Sequence, residues 1–322
     1  MTILRRSLSS SRFANLPWID GIITGITTGS IHRRTRRILI SLALGTAILL
    51  FILGTPAQAV QVQIQPMEPQ LGDTISAVIQ ADAASEPPTV MMNQKSYPTF
   101  AIGSNRYRAL LPTTPLDSPG NLTIQVNAGQ NTNNSSQPVT LQLRDREFPT
   151  QSIWLSGDAD SLGTDHEFDR VDAFKALVTP EKLWSGAFQR PNQGEISTIY
   201  GVRRYYNGEF AQDYFHRGVD YAAPVGDPVV APAAGTIALV GRVEDGFELH
   251  GNTIGIDHGQ GVESILIHLS RIDVKEGDVV QAGQQIGAVG STGAATGPHL
   301  HWGLYVNSQC VDPVPWRNEG FE

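Results

Sequence analysis

Apolar and polar residues alternate with a period of two through much of this chain. Val60, Val62 and Ile64 are interleaved with Gln61, Gln63 and Gln65. Leu122, Ile124 and Val126 follow the same rule, as do Val139, Leu141 and Leu143. In an extended strand successive side chains point to opposite faces, so each run predicts a strand buried on one side. Turn formers separate the runs: Pro69 to Asp73, Pro87-Pro88, Gly103-Ser104-Asn105 and Asp117 to Asn121. Short strands at this spacing over residues 60–145 predict a small immunoglobulin-like β-sandwich. It contains no cluster of chemically active side chains and reads as a spacer or an interaction module.

The period changes after residue 146. Phe168, Val171, Phe174 and Leu177 recur at helical spacing, and Thr164-Asp165-His166-Glu167 has the form of a capping box. Residues 146–187 therefore read as a connector with one helix whose apolar stripe is a packing surface. From residue 188 to 322 short apolar runs return, broken by Gly and Pro: 227–237, 252–257, 262–268 and 279–289. They predict a compact, mostly antiparallel β domain with no helix longer than two turns. The class is mainly β, and 32 Gly and 20 Pro supply the turns it needs.

The first 59 residues read differently. Arg33-Arg34-Thr35-Arg36-Arg37 precedes an uninterrupted run of apolar and small residues, Ile38 to Gly54, and then Ala57-Gln58-Ala59. A basic flank, an apolar core and an Ala-x-Ala end have the form of a secretory signal cleaved after Ala59. The alternative is an uncleaved membrane anchor, for which 17 residues is at the short limit. Either way the expected location is across the cytoplasmic membrane, in the periplasm or outside the cell. Removing residues 1–59, which hold seven Arg and one Asp, changes the net charge from −8 to −14. With no basic stripe, nucleic acid is excluded as a partner. Cys310 is the sole cysteine, so an intrachain disulfide is impossible and a small buried side chain is expected.

The chemistry lies in the last third. His216-Arg217-Gly218-Val219-Asp220 offers a His and a carboxylate four residues apart, and His299-Leu300-His301 offers two His on one face of a strand. His268, in Ile267-His268-Leu269-Ser270, lies between them in sequence. Two His and one Asp with a fourth position open are a ligand set for catalytic zinc. The other two His are then free to move protons.

These segments resemble the lysostaphin/LytM-type zinc peptidases, which cleave peptide bonds in bacterial peptidoglycan. The resemblance covers about Trp184 to Trp316. It is carried by Tyr200-Gly201-Val202-Arg203-Arg204, His216 to Tyr221, Ala231 to Gly235, Gly251-Asn252-Thr253, Asp257-His258-Gly259, His268-Leu269-Ser270, Gly290 to Gly293 and Gly297 to His301. It implies a compact antiparallel sheet related to barrel-sandwich folds. It implies one Zn²⁺ per chain held by His216, Asp220 and His301, with His268 and His299 as the catalytic pair that assists a metal-activated water. The expected partner is a peptidoglycan peptide, with contact to a membrane only through the N-terminal segment and a monomeric chain. Which peptidoglycan bond is cut stays open, because Gly-Gly bridges and D-amino-acid cross-links are both cleaved in the family.

The sequence departs from the family pattern at Leu266, where the family usually has Tyr, and the expectation is loss of a hydroxyl that helps hold an oxyanion. Asn192 lies near where some members supply a fourth, inhibitory ligand, and Arg203 is a candidate to meet a substrate carboxylate. His250 and His258 sit beside Gly in turn-like contexts and read as structural; His166 reads as solvated. The alternative function is a non-catalytic wall-binding regulator of another hydrolase. All five His and Asp positions are present, which favours an enzyme.

Overall fold

Alternation in the first segment does build strands. The computed structural model describes residues 60–81, 86–128, 136–154, 163–318 and 320–321. The chain divides into two units, Met1–Gly54 and Thr55–Glu322, and the described residues belong to the second. The proposed signal or anchor at 1–59 lies outside them. No helix among the described residues is long and apolar enough to cross a membrane.

Eight strands form two four-stranded antiparallel sheets: β1 (Gln61–Gln65), β2 (Thr74–Gln80), β3 (Thr89–Met92), β4 (Lys95–Tyr97), β5 (Phe100–Gly103), β6 (Arg106–Pro112), β7 (Gly120–Asn127) and β8 (Ser136–Leu143). Their orders are β1-β2-β6-β5 and β4-β3-β7-β8. Ile75, Ala77 and Ile79 from one sheet meet Val90, Ile124, Val126 and Leu141 from the other in one apolar cluster. This is the sandwich that period-two patterning requires once each sheet has one apolar face.

The rest of the chain adds β9 (Thr150–Ile153), α1 (Asp165–Lys175), β10 (Glu195–Thr198), β11 (Arg203–Tyr206), β12 (Glu209–Phe210), β13 (Val219–Ala222), β14 (Pro228–Val230) and β15 (Gly235–Gly241). There follow β16 (Asn252–Gly259), β17 (Val262–Leu269), β18 (Arg271–Ile272), β19 (Val279–Val280), β20 (Gln285–Ala288), β21 (His299–Val306), β22 (Gln309–Val311) and α2 (Pro313–Asn318). An eight-stranded sheet runs β10-β13-β21-β17-β16-β15-β19, with β22 on β21. Two small sheets, β12-β11-β9 and β14-β20-β18, flank it. Every residue of β17 is buried, which explains why its sequence reads as a nearly continuous run rather than an alternation.

Helix α1 packs on this sheet through Val171 and Phe174. Gly255 of β16 makes that approach possible: a Cβ there would stand 2.7 Å from both the Phe174 ring and Leu239. Thr164 caps the helix, its hydroxyl accepting from the Glu167 N–H at 3.1 Å. The second half of the expected capping box is not made. Glu167 turns instead to the segment 248–250, where its carboxylate accepts from the N–H groups of Glu248, Leu249 and His250 and from His250 Nδ1 at 2.7 Å. Three converging backbone donors and an imidazole outcompete one N–H at the helix start.

Burial by itself would raise the Glu167 pKa, but those hydrogen bonds and the His250 charge outweigh it and hold the carboxyl down at about 2. An unfolded carboxyl of ordinary pKa 4.5 takes up a proton before the folded one does. Glu167 therefore stabilises the fold above pH ~4.5, and that contribution disappears as pH falls toward ~2. Thermal melts from pH ~5.5 to ~2.5 should show a steeper loss of Tm in the native chain than in Glu167→Gln. Parallel curves for the two would refute this.

The sandwich does not sit apart from the larger sheet. Arg108 of β6 is fully buried, and its guanidinium donates to the Phe321 carbonyl at 3.1 Å and to Gln260 Oε1 at 2.5 Å while lying over the Trp184 ring. Asn307 donates to the Leu110 carbonyl at 2.7 Å, and Trp316 Nε1 donates to Thr74 Oγ1 at 3.0 Å. These buried polar contacts tie the two apolar clusters together.

Candidate metal centre

Three strands set the geometry. Asp220 of β13 lies directly opposite His301 of β21, and Ala222 opposite His299. His299 and His301, two apart on one strand, share a face as their spacing predicts. His216 stands before β13 rather than within it. Its backbone N–H donates to the Val202 carbonyl at 2.8 Å, and its carbonyl accepts from Gly201 at 2.9 Å. Gly218 lets this segment lie on β21, since a Cβ there would be 2.7 Å from His301 Nε2.

The result is a buried cluster. Asp220 Oδ1 is 2.8 Å from His301 Nδ1 and 3.1 Å from His216 Nε2, and the two imidazole nitrogens are 3.1 Å apart. One donor atom from each of the three residues lies within 4.8 Å of the other two. Ligands at zinc distances of about 2.0–2.1 Å in a tetrahedron are separated by about 3.3 Å, so this set needs to open only slightly around an ion. The tautomer of His216 fits too. Its Nδ1 lies 2.8 Å from the Ile199 carbonyl, which can only accept, so Nδ1 carries the proton and Nε2 presents a lone pair. Burial would raise the Asp220 pKa, but the hydrogen bonds and charges of His216 and His301 hold the carboxylate far below its usual range. It is thus an anion with two imidazoles against it, the arrangement a cation site requires.

His268 and His299 stand beside this cluster with ring centroids 4.8 Å apart, and His268 is 6.5 Å from the His301 ring. His268 Nδ1 donates to the Thr292 carbonyl at 2.8 Å, and His299 Nδ1 to the Gly297 carbonyl at 2.8 Å. Both rings therefore keep Nε2 free, and His299 Nε2 reaches within 4.0 Å of Asp220 Oδ1. His268 has φ +67°, a left-handed conformation costly for a side chain with a Cβ. Its backbone N–H donates to the His250 carbonyl at 3.0 Å, which holds that turn. Burial, with His301 and His299 nearby, pushes the His268 pKa down to about 3, so the ring is neutral at neutral pH and its Nε2 carries a lone pair.

Other expectations fare differently. Asn192 is not aimed at an ion: its Nδ2 donates to the Pro228 carbonyl at 2.9 Å and its Oδ1 accepts from Gly194 at 2.7 Å, so both ends of the amide bind the backbone. Arg203 Nε donates to the Tyr214 carbonyl at 2.9 Å and its Nη2 to the Gln212 carbonyl, which fixes a loop rather than leaving a fork for a substrate. Leu266 lies opposite Trp302, while its neighbour Ile267 lies opposite His301. A side chain at 266 thus points away from the metal face into the core, where Leu266 is fully buried. A Tyr hydroxyl at this position could not reach the site, so no oxyanion donor is lost there. His258 is structural as expected, donating from Nδ1 to the Ala234 carbonyl and meeting Ser264 Oγ through Nε2, with burial lowering its pKa to about 4. His250 is held by Glu167, His166 is exposed, and Cys310 is buried with its thiol pushed up to about 12.

One group was not foreseen. Arg204 donates to the hydroxyl of Tyr214 at 2.9 Å and of Tyr206 at 3.4 Å, and Asp220 is among the charges that raise its pKa. Arg204 thus stands within electrostatic reach of the cluster. The only sequence signal for it was the doublet Arg203-Arg204, in which strand alternation sends the two side chains to opposite faces.

Comparison with known proteins agrees with this geometry. The sequence profile described as "Peptidase family M23" matches residues 214–313, which include His216, Asp220, His268, His299 and His301. Over 99 residues the chain is 50% identical to the DD-carboxypeptidase/endopeptidase Mpg of Neisseria meningitidis serogroup B, covering 31% of this chain and 22% of that protein. It is 39% identical over 99 residues to the peptidoglycan DD-endopeptidase ShyA of Vibrio cholerae, again 31% and 22%. The chain thus spans about a fifth of the length of the curated relatives it matches. A crystal structure of a peptidase M23 protein from Pseudomonas aeruginosa, 27% identical, covers 79% of this chain and 96% of its own with TM-score 0.57. Most of the two-cluster architecture therefore has a counterpart there, and residues 214–313 form a peptidase family M23 domain.

Proposed function

We propose that this protein is an exported zinc metalloendopeptidase that hydrolyses peptide bonds of peptidoglycan. The observation that carries the reading is the convergence of His216 Nε2, Asp220 Oδ1 and His301 Nδ1 beside two further imidazoles with free Nε2 atoms. The donor set of two neutral imidazoles and one carboxylate suits Zn²⁺ and leaves a position open. When bound, the ion supplies Lewis acidity toward a carbonyl and lowers the pKa of a water toward ~7. The protein's own contribution is orientation and proton movement. His268, neutral and locked by Thr292 and His250, is placed to take a proton at Nε2. His299 Nε2, on the Asp220 side, presents a lone pair as well; once it has taken up a proton it is placed to hydrogen-bond the oxygen that gains charge or to protonate the leaving amine. In this reading residues 60–145 are a sandwich packed against the rest, 146–187 a connector and 188–322 the catalytic domain, acting as a monomer on the wall outside the cytoplasmic membrane.

The test is metal-dependent release of soluble muropeptides from purified peptidoglycan by the full chain. Chelation should lower the rate by at least about 100-fold, and one equivalent of Zn²⁺ should restore it. Mass analysis of the products names the bond. A chain that holds one zinc and releases nothing from any peptidoglycan would overturn the reading.

A further inference from the structure

The three-stranded sheet β12-β11-β9 has two unlike faces. Along β11, Arg204 and Tyr206 point toward Tyr214, with Arg204 within electrostatic reach of Asp220. The opposite face carries Arg203 and Tyr205. Phe210 of β12 lies directly opposite Tyr205, and Ser152 of β9 lies beside it on the other side. Trp154, two residues beyond Ser152, continues this face, and a Cβ built on Gly208 would meet its ring edge at 3.8 Å.

Three large aromatic side chains on so small a sheet are exposed: Trp154 by 76%, Phe210 by 40% and Tyr205 by 36%. The Tyr205 and Phe210 rings are 5.0 Å apart, and the Arg203 guanidinium lies 5.0 Å from the Phe210 centroid. Ser152, also exposed, lies beside Tyr205, and exposed Thr150 lies beside Arg203. A clustered, exposed aromatic patch marks an interaction surface.

Its chemistry selects the partner. Aromatic faces carry negative charge density and attract polarised C–H groups, while adjacent hydroxyls exchange hydrogen bonds. That combination fits the faces of sugar rings. Charge argues the same way. Arg203 is held by the carbonyls of Tyr214 and Gln212, and Glu209, opposite Tyr206, belongs to the cleft-side face. The aromatic face therefore offers one guanidinium, already hydrogen-bonded, and no basic cluster on a chain of net charge −8, which disfavours an anionic polymer or lipid surface.

We propose that this face binds the glycan strand of peptidoglycan and so presents the attached stem peptide to the metal cleft across the sheet. The proposal rests on the substrate assigned above. The experiment is affinity electrophoresis of the full chain in gels containing soluble, peptide-free glycan strands. It is paired with hydrolysis rates on intact sacculi and on soluble cross-linked peptides. Glycan should retard the native chain. Trp154→Ala with Phe210→Ala should weaken retention by at least about tenfold and slow sacculus hydrolysis similarly, with the rate on soluble peptides unchanged. Trp154→Phe should retain most binding, because the ring remains.

Equal retention of native chain and double variant would overturn the proposal, as would retention by anionic vesicles in place of glycan. A native chain that hydrolyses peptides without binding glycan sinks the platform and spares the peptidase. One that binds glycan through these residues and hydrolyses nothing spares the platform and sinks the peptidase.

Discussion

His299→Ala is expected to lower peptidoglycan hydrolysis by about 10²–10⁴-fold while leaving one zinc per chain. The ring is fixed by its Nδ1 contact to the Gly297 carbonyl, and its Nε2 lies 4.0 Å from Asp220 Oδ1, too far to share the inner cluster and near enough to act on what binds there. Only partly buried, it can be truncated with little loss of packing. Metal content and product release measured on the same preparation make the test. Zinc lost together with activity would make His299 a ligand, and activity retained would remove it from the chemistry.

Asp220→Ala should abolish both metal binding and hydrolysis. Its Oδ1 is the atom nearest both His216 Nε2 and His301 Nδ1, and it is the sole anion of the set. Without it two buried imidazole nitrogens face each other with no negative charge to offset a divalent cation. Affinity should fall by well over the ~10–100-fold typical of disturbing a mere outer partner. Asp220→Asn keeps the volume and separates loss of charge from loss of packing. Calorimetric zinc titration of both variants decides: near-native affinity in Asp220→Asn would mean that the carboxylate charge does not hold the ion.

Glu167 illustrates the limit of local patterns. Thr164-x-x-Glu167 predicts reciprocal capping, and the Thr half forms, because both partners lie within one helical turn. The Glu half goes to residues some 80 positions away, which no local pattern encodes. Leu266 is a similar case. As a missing Tyr it suggested a lost catalytic hydroxyl, whereas register places it opposite Trp302 on the core side. Arg203 and Arg204 are adjacent in sequence and lie on opposite faces of β11, so the second meets Tyr214 and Tyr206 and feels the Asp220 charge while the first holds the carbonyls of Tyr214 and Gln212.

By itself the sequence determined the strand-rich class, the helix near 165–175 and the identity of the five clustered His and Asp residues. The class and the helix rest on short-range rules, period-two and period-3.6 burial and turn formers at fixed offsets; the five residues rest on two close pairs, His216 with Asp220 and His299 with His301, and on the family resemblance that joins these to each other and to His268. Tertiary structure alone decided which nitrogen of each imidazole is free, because the proton follows a carbonyl brought in by another segment, as Ile199 does for His216 and Thr292 for His268. It also decided that the sandwich and the larger sheet share a buried polar contact through Arg108, and that three scattered aromatics form one exposed face. The reason is physical: local sequence sets which way a strand's side chains alternate, but long-range register decides what each side then meets.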